Sequence, residues 1–167
     1  MHAATSFPRN GKEFLLFLAT ISIISVNTIG PLIMGFEFGF SKDVYLETLK
    51  VLPFIWIVVV LLVPFIVNPL VTKVSAKFVG ETDGYNARIL FTVLFSVTTL
   101  SIILTIVGTW IGMKEISMEP IENFFYKWPR NFFIAFWIEL LVAQPIARFV
   151  MRKLHAGQEK RANSINA

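Results

Sequence analysis

The sequence predicts an all-α membrane protein: four transmembrane helices arranged as two tandem two-helix repeats about a parallel pseudo-twofold axis. Three observations carry this expectation. Four stretches, 14–34, 51–72, 89–113 and 131–147, contain no Lys or Arg and together hold a single acid, Glu139. Each has the length, roughly 17–25 residues, that a helix needs to cross a bilayer. Charged residues make up 16% of the 167 positions and hydrophobic ones 55%, where a soluble domain carries about 25% charged residues. Finally, a shift of 76 positions aligns Asn10 with Asn86, Lys12 with Arg88, Ser25 with Ser101, Pro53 with Pro129, Asn68-Pro69 with Gln144-Pro145 and Lys77 with Lys153.

The first stretch follows Arg9 and Lys12, as a signal peptide would. Its apolar core exceeds the roughly 7–15 residues of a signal-peptide core and no small-residue cleavage site precedes Pro31, so a retained helix is expected. The second and fourth stretches are expected to open at Pro53 and Pro129, since a first helical turn has no use for the missing N–H. Trp128 beside Pro129 suits an aromatic belt at the outer interface. Near their other ends Pro69 and Pro145 each remove a helical hydrogen bond and kink the axis. The amides of Asn68 and Gln144 are candidates to satisfy the carbonyls so freed. The expected organisation is a tail (1–9), a first repeat (10–78), a linker (79–85), a second repeat (86–154) and a basic tail (155–167). Two spans per repeat give both copies the same orientation.

Lys and Arg set that orientation. Ten lie in the N-terminus, the middle loop and the C-terminal end, and five in the other two loops. Both termini are therefore expected in the cytoplasm. The net charge of +4 is explained by topology and attraction to anionic lipid. A basic tail without a recognition fold does not point to nucleic acid.

The run "WPRNFFIAF", followed by "QPIARFVMRKL", resembles the two-helix unit of a family of bacterial membrane proteins defined only as a domain of unknown function. The likeness runs through Trp128, Pro129, Arg130 and Asn131 to Pro145. The first copy departs from it, with Leu52-Pro53-Phe54-Ile55 at the motif position. The resemblance implies two units in tandem and a place in the bacterial plasma (inner) membrane, and it supplies no activity.

Glu139 is the feature that asks for chemistry. Arg130 and Arg148 stand nine residues to either side, which is the opposite helix face and about 13–14 Å along the axis, so neither can pair with it. Its four-residue row reads Asn131, Ala135, Glu139, Ala143, Ala147, a small-residue face on which another helix can pack closely. The equivalent row in the first repeat, Ile55, Val59, Val63, Val67, Val71, is aliphatic. A carboxyl at this depth must face the bundle or another subunit. Thr98, Ser101 and Thr105 on the third span are its candidate partners, with Ser22, Ser25 and Asn27 on the first. None of these brings a cation, and burial then favours the protonated acid. That condition serves a proton- or cation-responsive site and a silent packing hydrogen bond equally.

Other chemistry is not visible. The chain has no Cys, and His2 and His155 read as solvated residues near the ends, so no metal or cofactor is expected. Glu115, Glu119 and Glu122 read as one solvated face of a short helix. No catalytic set appears, and an enzyme is not expected. Two functions stay open. One is a small transporter or permeation subunit in which Glu139 binds a proton or cationic solute. The other is a membrane accessory, envelope or structural protein in which Glu139 fastens helices or oligomers. The expected partners are the lipid bilayer and either further copies of the chain or another membrane protein.

Overall fold

The computed structural model describes residues 7–80 and 84–165, which are helical with no strand among them. Helix α1 spans Gly11–Phe38. The Asn10 side chain caps it by accepting from the Glu13 N–H at 3.0 Å, and Glu13 in turn accepts from the Arg9 N–H at 2.7 Å. The first bond satisfies one of the donors that a helix start leaves without partners, and the second ties the residue before the cap to the first turn. The helix stops at Gly39, whose φ of 92° is open to glycine and costly for other residues. Helix α2 is capped by Ser41 and runs Lys42–Leu62, then through a π-helical turn, Val63–Val67, into Asn68–Phe78. Helix α3 spans Tyr85–Met113 and ends on Lys114 in the left-handed conformation. A short helix α4 spans Glu119–Glu122. The last helix, α5, runs Phe124–Ile138, through a second π-helical turn, Glu139–Ala143, into Gln144–Ile165.

One expectation about helix limits is corrected. Pro53 and Pro129 lie inside α2 and α5 rather than opening them, because Ser41 caps α2 well upstream and α5 already starts at Phe124. The basic segment after 154 continues α5 as helix as far as Ile165.

The π turns lie at positions 63–67 and 139–143, the same 76-residue interval that aligns the sequence halves. Each is followed directly by Asn68-Pro69 or Gln144-Pro145. A proline ring presses on the carbonyl four residues back. Here those carbonyls belong to Phe65 and Leu141, both within the widened turns, and the wider turn relieves the clash.

The four long helices form a ring. α1 packs on α2 and α5, and α3 packs on the same two neighbours, while α1 and α3 face each other across the middle. One apolar cluster joins Val26 to Leu52 and Val59, and a second centres on Ile89, Val93 and Val97 with Phe132 and Leu140 against it. Leu52 approaches Gly30 so closely that a Cβ there would lie 2.6 Å from its Cδ2. All four helices are long and apolar enough to cross a membrane, yet only 11–28% of each apolar window is buried inside the bundle. Outward faces carry side chains such as Phe65 and Leu61. Burying so little apolar surface internally leaves the rest in need of an apolar solvent, as a multi-pass membrane protein has.

Candidate functional site

The inward face of α5 is a row of every fourth residue. Lys127, Asn131, Ala143, Ala147, Met151 and His155 are all buried, with Ala135 and Glu139 half-buried between them. On an ideal helix such a row drifts about 40° per step. The π turn at Glu139–Ala143 holds back part of that drift, so one face can serve the bundle along its whole length. The matching row on α2 buries Val51, Val59, Val67 and Val71.

A cavity of about 170 Å³ lies between α1 and α3, walled by α2 and α5. It reaches from Ser25 and Glu139 to Glu37, Phe38 and Met113 at the end of the bundle that carries the α1–α2 and α3–α4 loops. Its walls are mostly aliphatic, with small residues on α3 (Ser101, Thr105, Gly108, Thr109, Gly112). Lys127, Asn131, Ala135 and Glu139 present one row of α5 to it.

Glu139 accepts a 2.5 Å hydrogen bond from the Ser25 hydroxyl of α1. The side chain of Gln144 reaches the same carboxyl. The π turn, whose Gln144 N–H bonds the Glu139 carbonyl, brings these two residues, five apart, to the same side of the helix. The residues expected around Glu139 on α3 are otherwise engaged. Ser101 accepts from the Trp128 indole N–H at 2.9 Å and donates to the Thr98 carbonyl, while Thr98 donates to the Leu94 carbonyl. Thr105 accepts from the Asn131 amide at 3.2 Å and is buried with it. Trp128 thus turns its polar edge inward to α3, rather than serving only as an interface anchor. On α1, Ser22 accepts from the Trp56 indole, and Asn27 faces outward and bonds the Ile23 carbonyl. Arg148 donates to the Gln144 carbonyl, next to Pro145.

At the loop end of the cavity an ionic cluster appears that the sequence reading missed. Glu37 pairs with both Lys127 and Arg130, and Lys127 also meets Glu119 at 2.7 Å. Two acids balance two bases. Glu119 is therefore a network member rather than part of a solvated face, and α4 is too short to align it with Glu115. The row 131–135–139, extended one step back, would have reached Lys127.

Extended the other way, past Ala147, the same row reaches His155. His155 was expected to be solvated and instead is 1% exposed, with Nε2 2.9 Å from the Glu13 carboxylate. The helix continues beyond the apolar stretch, so this residue turns inward against α1 instead of entering solvent. His2, the other expected solvated histidine, lies outside the described residues. No cluster of three metal-ligating side chains occurs among the described residues. Among the cavity-lining acids, Glu37 is neutralised by its bases, whereas Glu139 has the uncharged Ser25 hydroxyl as its hydrogen-bond partner and, among the described residues, no ion pair.

Residues 85–155, covering α3 to most of α5, match a family described as a domain of unknown function (DUF2798). Searches of curated proteins and of solved structures return no match.

Proposed function

We propose that the chain is a small multi-pass transporter or permeation subunit of the bacterial plasma membrane, in which Glu139 binds a proton or a cationic solute. The observation that carries this reading is the cavity: it brings a carboxyl without a cationic partner to its inner end and a charge-balanced cluster to its outer end. An ionisable residue deep in an apolar bundle is costly and is a functional-site hypothesis by default. Mostly aliphatic walls would exclude bulk water and strengthen any charge interaction at the carboxyl.

The finer architecture belongs to the same proposal. The two hairpins, 10–78 and 86–154, are tandem copies, supported by the common position of their π turns and by buried rows at equivalent places. Divergence placed Glu139 in one copy and Val63 in the other. The Trp128-Pro129-Arg130-Asn131 motif sits where α5 meets the ionic cluster and α3, which gives its residues a reason to travel together. Both termini lie in the cytoplasm, and the role is not enzymatic.

Glu139→Gln tests the transport reading, because the amide keeps size and hydrogen bonding but cannot titrate. In proteoliposomes the wild type is expected to carry a pH-dependent flux, and the folded variant to lose it. Absence of flux in the wild type, or equal flux in the variant, would sink the reading.

A specific observation favours a second reading. Ser25 and Glu139 tie α1 to α5, and Ala143 and Ala147 just beyond are wholly buried. On that view Glu139 is a helix fastener in an accessory or structural membrane protein. Glu139→Leu, which removes the acceptor for Ser25, would then lower stability while leaving no transport to lose.

A further inference from the structure

We infer that the cavity is a binding site for one small protonated amine with an apolar body, its ammonium group held by Glu139. This rests on the reading of Glu139 as a cation site and adds the chemical class of the solute. Size sets the first bound. An engineered cavity of about 150 Å³ holds benzene, so about 170 Å³ admits a body of benzene size with a short polar extension. Wall chemistry sets the second. Val26, Ile29, Ile33 and Leu104 offer apolar contact on both sides of the gap between α1 and α3. The polar side chains on the walls are largely engaged, with Ser101, Thr105, Thr109 and Asn131 hydrogen-bonded within or between helices, so a bare metal cation, which needs about six oxygen ligands, is poorly served.

Charge sets the third. Lys127 is already balanced by Glu37 and Glu119, and Arg130 by Glu37, so the cluster offers no net positive charge to an anion. An anionic solute would also meet the Glu139 carboxyl unpaired at the inner end. An ammonium group supplies the one thing that Ser25 and Gln144 do not, a compensating charge. Its N–H donors can use the carboxylate lone pairs that one hydroxyl and one amide leave over.

Calorimetric titration of the full chain in lipid nanodiscs tests the assignment with benzylammonium, benzyl alcohol and benzoate. The wild type is expected to bind benzylammonium more tightly than the other two by about tenfold or more, the scale of one charge-assisted hydrogen bond. Glu139→Gln should abolish that preference. Gly108→Leu gives a second variant that keeps the carboxyl. A Cβ at Gly108 meets only Leu104, at an ordinary 3.8 Å, and Gly108 lines the cavity, so a leucine side chain there takes up space the amine would need. It should abolish benzylammonium binding without lowering the melting temperature.

Equal binding of benzyl alcohol, or benzylammonium binding that survives Gly108→Leu, overturns the inference. If Glu139→Gln fails to fold, the Gly108→Leu result decides. Glu139-dependent proton flux without amine binding removes this inference and leaves the transport reading standing. Amine binding without any flux does the reverse.

Discussion

His155 shows how one buried polar contact joins the chain's two ends. Its ring is 1% exposed and meets Glu13, which also accepts from the Arg9 N–H at the start of α1. The same carboxylate therefore helps cap one helix and pin the last turns of another. His155→Leu removes the pin but leaves Glu13 its backbone donor, so the expected loss of stability is about 1–3 kcal/mol. Unfolding in mixed micelles measures it. Combined with Glu13→Gln, the two losses should add to more than the double variant shows, since the residues share one contact. Strict additivity would mean that the contact contributes nothing.

At the scale of elements, the backbone at two helix ends makes opposite predictions. Lys114 ends α3 in the left-handed region, at φ 56°, where a Cβ costs about 1–2 kcal/mol. Lys114→Gly should stabilise the protein by part of that amount, because glycine also has more freedom to lose on folding. Gly39 ends α1 at φ 92° with open space around its missing Cβ. Gly39→Ala should therefore destabilise through the backbone alone. Thermal unfolding of the pair should shift in opposite directions, and a shared direction would refute the assignment of strain. Element-scale features also mark where the sequence stops being readable. The four apolar helices follow from uncharged runs, and Glu139 stands out because its run holds no other charge. The π turns leave no periodic signature of their own: they arise from a proline pressing on a carbonyl that only the folded helix positions. The link from Glu37 to Lys127 spans two helices distant in sequence, so no local pattern announces it. His155 was misplaced because apolar composition ends before α5 does.

The whole molecule is a ring of four helices whose two ends differ in chemistry. One end closes over the Glu13–His155 contact, and the other carries the Glu37–Lys127–Arg130 cluster at the mouth of the cavity. If the bundle spans a membrane, the side that receives the cavity mouth determines from which compartment Glu139 is reached. The excess of Lys and Arg on the termini side, ten against five, predicts that this side is cytoplasmic and that the cavity opens outward. The chain has no Cys, so single cysteines report topology with no native thiol to remove. Asp43 near the start of α2 and Lys160 near the end of α5 are both exposed and lie at opposite ends of the bundle. In intact spheroplasts, a membrane-impermeant maleimide should label Asp43→Cys directly and Lys160→Cys only after permeabilisation. The reverse pattern would place the cavity mouth in the cytoplasm, and Glu139 would then be filled from inside.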